Sequence, residues 1–169
     1  MDIAPDDRVL EIGCGPGLGL AAAAAKAIRG AVIGVDHSQI MIAQARRRNR
    51  GAIESGRMRL LVGGLEQLEE LGVAFDKIFS VNVVQFLPDK SGAFRALFAI
   101  LRAGGIIATT YMPRHSAATR SDALRISDEV SRHMQAASFA DIRVEELELK
   151  PVPAICVIGA RPKLSDTTC

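Results

Sequence analysis

The sequence predicts an α/β domain in which a doubly wound, mostly parallel sheet is faced by helices on both sides, a three-layer sandwich. Three observations carry this expectation. Short apolar runs at Val9–Ile12, Ala31–Val35, Met58–Val62, Phe75–Val84 and Ile106–Tyr111 alternate with helix-like segments, the rhythm of repeated strand-helix units. Gly13, Gly15 and Gly17 stand between the first run and the first helix, where a tight turn brings backbone N–H groups to a helix start. The last two strand-like runs have no helix between them, so they are expected to pair antiparallel at one end of the sheet.

The elements follow in order. After a polar lead-in, Met1 to Asp7, the first strand begins at Arg8. A helix is expected over Leu18–Arg29, ended by Gly30, with the alanine run Ala21–Ala25 giving a face that packs closely on a sheet. Asp36 terminates the second strand, and Ser38 is the expected N-cap of a helix from Gln39 to about Arg50. The third strand leads through Gly63-Gly64 to a short helical piece at Glu66–Leu71. Pro88-Asp89 opens a helix that runs to Leu101, and Ala103-Gly104-Gly105 ends it. A polar loop, Met112–Ser121, precedes a helix over Asp122–Ser138. Ile142–Leu149 alternates apolar and charged residues with a slip at Glu145-Glu146, the pattern of a half-exposed edge strand with a bulge. Pro151 and Pro153 turn the chain into a last strand, Ala154–Ala160.

The 169 residues suit a single domain over 1–169, and 49% apolar against 24% charged residues is a globular composition. A net charge of +2 gives no support for a nucleic-acid partner or a membrane surface. The longest low-polarity run, Gly13–Ala25, is too short and too broken by glycine and proline to span a bilayer. Acidic residues near the N-terminus are the reverse of a secretory signal. Cys14, Cys156 and Cys169 are odd in number and lack metal-ligand spacing, so no metal is expected and the reading is a reduced, cytoplasmic setting.

The glycine turn alone suits many nucleotide ligands. Leu18 occupies the place where a dinucleotide fingerprint wants its third glycine. Glu11 lies inside the first strand, and a buried carboxylate is costly unless a backbone N–H or a cationic ligand meets it. Asp36 ends the second strand, where a carboxylate accepts both hydroxyls of a ribose. These details favour a nucleoside with an amine-bearing or cationic end over a pyrophosphate. Cys14 reads as a small spacer, and Arg46, Arg47, Arg48 and Arg50 as a solvated face at the negative end of a helix. His115 and His133 read as surface histidines, so no catalytic residue is identified.

Val9–Gly17 resembles the first motif of the class I S-adenosylmethionine-dependent methyltransferases, and Gly34-Val35-Asp36-His37-Ser38-Gln39-Ile40-Met41 resembles their second. Phe75–Asn82 followed by Phe86-Leu87-Pro88-Asp89 is similar to the fourth-strand motif, and Leu101–Gly105 to the helix end before strand five. The resemblance covers nearly the whole chain. It implies a seven-stranded sheet of order 3-2-1-4-5-7-6 with a C-terminal antiparallel hairpin. It implies S-adenosylmethionine as cofactor, with S-adenosylhomocysteine as product. Glu11 and the turn Gly13, Cys14, Gly15 and Gly17 would then hold the methionine end, and Asp36 the ribose. His37 and Met41 would line the adenine pocket, the segment Gly63–Glu66 with Gly64, Leu65 and Glu66 would meet the adenine edge, and Asn82 would lie under the sulfonium. His37 also reads as a turn residue, Met41 as core and Asn82 as a satisfied strand-end amide.

Two departures stand out. Gly64 replaces the acidic residue that members often carry there, leaving Glu66 or the Leu65 backbone to serve. The usual N-terminal cover helices are missing, since only about seven residues precede the first strand. Val83-Val84-Gln85 lacks the Pro-Pro-aromatic sequence expected for amide or base amino acceptors, and no Pro-Cys nucleophile is present. The expected acceptor is therefore a small molecule, with a homo-oligomer compatible with the sequence. The alternative reading is a non-catalytic binding protein or partner subunit that keeps the fold.

Overall fold

The computed structural model describes residues 1–69 and 72–163. Leu71 and Cys169 lie outside the described residues. One sheet runs in the order β3-β2-β1-β4-β5-β7-β6, built from β1 (Arg8–Ile12), β2 (Ala31–Asp36), β3 (Met58–Val62), β4 (Phe75–Val81), β5 (Leu101–Tyr111), β6 (Ala140–Leu147) and β7 (Ala154–Ala160). The pairings among β1 to β5 are parallel, and β7 runs antiparallel to both β5 and β6. The class and strand order are those expected from the sequence.

The helices are α1 (Leu18–Lys26), α2 (Gln39–Arg48), α3 (Arg50–Glu54), α4 (Glu66–Glu69), α5 (Lys90–Ile100) and α6 (Arg120–Ala136). Alternate strand residues point to opposite faces, which divides the interior in two. Leu10, Ile12, Ile78 and Ile107 meet Phe94, Leu97, Val130 and Met134 of α5 and α6 on one face. Val9 and Val32 meet Leu20, Ala23, Ala24 and Ile42 of α1 and α2 on the other. Burying each large aliphatic side chain contributes about 2 kcal/mol, so these two layers hold the strands' carboxyl ends in a fixed array.

Several boundaries differ from the expectation, each for a local reason. The first helix stops at Lys26, because the N–H groups of Arg29 and Gly30 are both taken by the Pro5 carbonyl. The second divides after Arg48, where Asn49 turns inward and Nδ2 donates to the carbonyls of Gly17 and Ala45, both at 3.0 Å. Strand β4 ends at Val81, since Asn82 adopts the left-handed conformation (φ 55°), and a 3₁₀ turn follows at Val84–Phe86. Helix α5 passes directly into β5 at Leu101, and residues 102–105 form an irregularity within the β4–β5 pairing rather than a helix end. In β6 the bulge falls between Ala140 and Arg143, not at Glu145-Glu146, with Asp141 at φ 50°.

The expected caps are present. The Ser38 hydroxyl accepts from Met41 N–H, and the Asp89 carboxylate accepts from Gly92 N–H at 2.8 Å. At the other end of α5, Arg161 Nη1 donates to the carbonyls of Phe98, Ala99 and Leu101, with the guanidinium 4.8 Å above the Phe98 ring. This residue, just past β7, satisfies the helix end that no left-handed cap closes.

Candidate active site

Strand order reverses direction between β1 and β4, and in open α/β sheets that switch point opens a crevice beyond the carboxyl ends. A cleft of about 130 Å³ lies there. Gly13, Asp36, His37, Gly64 and Leu65 line it, together with Ile12, Val35, Gly63, Val83, Phe86 and Leu87.

The glycine turn forms one wall. Gly13 sits at φ 62°, and a Cβ there would collide with the Val83 side chain, so glycine serves both the backbone conformation and the close approach. Cys14 N–H donates to the Val35 carbonyl at 3.0 Å, tying the turn to β2. Its thiol is buried, and burial together with the Glu11 and Asp36 charges raises its pKa to about 12. Such a thiol is an inert spacer, not a nucleophile.

Asp36 is 7% exposed, and both its oxygens are engaged. Oδ2 accepts from Gly15 N–H at 2.9 Å and Oδ1 from Ser38 N–H at 2.8 Å. The carboxylate thus fastens the turn after β1 to the turn after β2, and Asp36 lines the cleft. His37 Nδ1 lies 3.8 Å from Oδ1, while the ring is 92% exposed.

Glu11 is not among the residues that line the cleft. Its neighbours across the sheet are Gly34 and Phe79, and its carboxylate is wedged beneath Gly19 of α1, where a Cβ would collide with it. It is 4% exposed, and Oε2 has no hydrogen-bond partner among the described residues. Burial raises its pKa to about 8, with the Leu20 N–H opposing the rise and the Asp36 charge adding to it. Glu11 therefore faces the underside of the turn, not the cleft.

The remaining expected residues are not among those that line the cleft. Glu66 folds back, and its Oε1 accepts from Gly64 N–H at 3.1 Å. Asn82 Oδ1 accepts from Met112 N–H at 2.8 Å, latching the end of β4 to the end of β5. Met41 is half-buried on α2, its N–H committed to the Ser38 cap. Gly15 and Gly17 complete the turn, and Gly17's carbonyl is the one gripped by Asn49.

Contributors that escaped the sequence reading include Val83, Phe86 and Leu87 in the cleft lining and Asn49 behind the turn. Phe86 is 76% exposed at the cleft, and its place after the fourth strand was the available signal. Asn49, a lone amide closing an arginine run, carried a weaker one.

The residues present suit a nucleoside with a cationic tail. Leu65, Phe86 and Leu87 offer apolar walls for a base, Asp36 offers acceptors for hydroxyls, and an unpartnered carboxylate lies beneath the turn. Among the described residues no helix is long and apolar enough to cross a membrane.

Comparison with known proteins agrees with this geometry. The methyltransferase domain family matches residues 9–105, more than half of the chain. A methyltransferase of Bacillus subtilis, YdaC, is 26% identical over 162 residues, covering 96% of this chain and 87% of its own. The trans-aconitate 2-methyltransferase of Deinococcus radiodurans is 31% identical over 115 residues, covering 68% of this chain and 42% of that protein. Of solved structures, an S-adenosylmethionine-dependent methyltransferase from Aquifex aeolicus superposes with a TM-score of 0.72 at 16% identity, over 94% of this chain and 84% of that one. A phosphoethanolamine N-methyltransferase from Haemonchus contortus, solved with S-adenosylmethionine, gives 0.71 at 19% identity, over 96% of this chain and 50% of that one. The chain thus spans only about half the length of some relatives and most of others. With its motifs, strand order and cleft in agreement, the chain belongs to the class I S-adenosylmethionine-dependent methyltransferase family.

Proposed function

We propose that this chain transfers the methyl group of S-adenosylmethionine to a small-molecule acceptor. The observation that carries the reading is the Asp36 carboxylate, held by Gly15 and Ser38 N–H groups at the edge of an apolar cleft at the switch point. Asp36 would take the ribose hydroxyls, Leu65, Phe86 and Leu87 would enclose the adenine, and His37 would flank it. The Gly13–Gly17 backbone would position the methionine end. Gly64, at the cleft edge with its N–H shared between Glu66 and Gln67, leaves the adenine to backbone and apolar contacts.

The cofactor supplies an already activated methyl group on sulfonium. Most of the work left to the protein is then orientation, which contributes roughly 7–11 kcal/mol in favourable systems. That suits a cleft whose lining carries no pair of groups arranged as nucleophile and base. Two of the relatives act, by their names, on trans-aconitate and on a sterol, which supports an acceptor of small-molecule size. The single sheet with its two shared interior layers supports reading the chain as one cofactor-binding domain.

Calorimetric titration with S-adenosylhomocysteine tests the reading. Saturable 1:1 binding is expected, weakened at least about tenfold in Asp36→Asn, followed by acceptor-dependent conversion of S-adenosylmethionine. No binding at millimolar ligand would overturn it. Binding without turnover across a broad acceptor panel would replace it with a cofactor-binding partner subunit.

A further inference from the structure

Residues 46–59 hold six arginines, no lysine and one acid, Glu54, a net charge of +5. The whole chain carries +2, which leaves −3 for everything outside this stretch, so the basicity is local. A helix end explains only part of it. One cation in the last turn of α2 answers the carbonyl dipole, but that turn holds Arg46, Arg47 and Arg48, and Arg50 stands close behind. Like charges gathered this closely repel one another unless an anion meets them.

The protein's own carboxylates meet few of them. Arg50 Nε pairs with Glu54 Oε1 at 2.7 Å, an exposed contact that contributes little in water. Arg46, Arg47 and Arg48 have no ion-pair partner among the described residues. Arg57 is committed elsewhere, with Nη1 donating to the Ala24 carbonyl.

Three of these side chains share one hollow. Between α2 and α3 lies a space of about 290 Å³ lined by Arg46, Arg47, Arg50, Ile53 and Glu54. None of these residues lines the cofactor cleft. Glu54 offsets a single cation, so the lining carries a net +2. A guanidinium offers a planar fork of donors that matches phosphate oxygens in pairs, which an ammonium does not. A phosphomonoester brings close to two negative charges near neutral pH and three acceptor oxygens, the complement of this lining. At roughly 30 Å³ per water, the space exceeds a bare oxyanion and leaves room for a small organic body beside Ile53. No aromatic residue falls between positions 46 and 59 for bases to stack on, which disfavours single-stranded nucleic acid.

We propose that the hollow between α2 and α3 is a binding site for a small phosphomonoester, separate from the cofactor cleft. Arg46, Arg47 and Arg50 hold the phosphate, and Ile53 flanks the organic part.

The test follows backbone amide shifts by NMR as the isotope-labelled chain is titrated with β-glycerophosphate. Acetate and glycerol are the controls, at matched ionic strength so that screening alone is cancelled. Saturable shifts at residues 46–54 in the low millimolar range are expected for the phosphate ester, and none that saturate for the controls. Adding S-adenosylhomocysteine should leave those shifts in place. Arg46→Gln and Arg47→Gln alter exposed side chains outside the Arg50–Glu54 pair. Each should weaken the ester about tenfold while leaving thermal unfolding unchanged. A response equal to that of acetate, or an affinity indifferent to both substitutions, would show a merely solvated arginine face and overturn the proposal. Displacement by S-adenosylhomocysteine would overturn it by moving the ester into the cleft. Duplex RNA that shifts the same residues at far lower concentration would overturn it in favour of a nucleic-acid surface.

Discussion

Replacing Glu11 by glutamine removes an ionisable group while keeping its shape, and the variant is expected to be more stable than wild type above pH 6. The sign follows from linkage. Glu11 has an ordinary pKa of 4.5 and a folded one of about 8, so between these values the folded chain holds a proton that the unfolded chain has lost. Stability therefore falls as pH rises through that window. The loss is about 1.4 kcal/mol per pH unit at full slope, which accumulates to about 3 kcal/mol between pH 5 and 8 once incomplete titration at both ends is allowed for. For a chain of this size that is a drop in Tm of about 6–12 °C attributable to one side chain. Denaturant titration of both proteins at pH 5 and pH 8, without cofactor, measures it. The difference in stability between variant and wild type should widen by about 3 kcal/mol from the lower to the higher pH. Parallel pH profiles would show that Glu11 has found a partner and that burial does not hold it neutral.

Asn49→Ala removes the hydrogen bond that joins the start of α1 to the end of α2 and a second one back to the Ala45 carbonyl of α2. A loss of about 2 kcal/mol in denaturant unfolding is expected. Gly13→Ala forces a Cβ into Val83 at a left-handed backbone position, costing about 1–3 kcal/mol and weakening S-adenosylhomocysteine binding. Val83→Ala in the same chain should recover the steric part alone, read as partial return of affinity. Asp36→Asn keeps the side-chain shape but removes the charge that accepts from two backbone donors at the cleft, and should weaken S-adenosylhomocysteine at least about tenfold by calorimetry.

Fold class was open to reading because local signals agreed with one another. Apolar runs, glycine and proline punctuation, and the Ser38 and Asp89 caps all report the same strand-helix alternation. The glycine turn and Asp36 were readable for the same reason: their conformations are imposed within a few residues. What escaped depends on contacts distant in the chain. Asn49 acts on Gly17, and Arg161 on the end of α5, and nothing near either residue announces its partner. Glu11 shows the same limit. A carboxylate in an apolar strand advertised burial, but which side of the turn it faces follows from the β1 pairing with β2 and β4 and from α1 packing above it. The bulge in β6 was misplaced because alternation reports which side chains face outward, while pairing with β7 decides where the extra residue goes.

The Arg161 clasp bears on the order in which the molecule can form. Its guanidinium closes carbonyls that precede it by 60 to 63 residues, across the full length of α6 and the hairpin. During synthesis α5 and the first strands leave the ribosome long before that residue, with the helix end still open to water. The parallel core can collapse early, but its last helix gains a permanent end only when the final strand is in place. A nascent chain halted within the hairpin would hold an assembled nucleotide cleft on a frayed α5, exposed to proteolysis at Phe98–Leu101 rather than at the glycine turn.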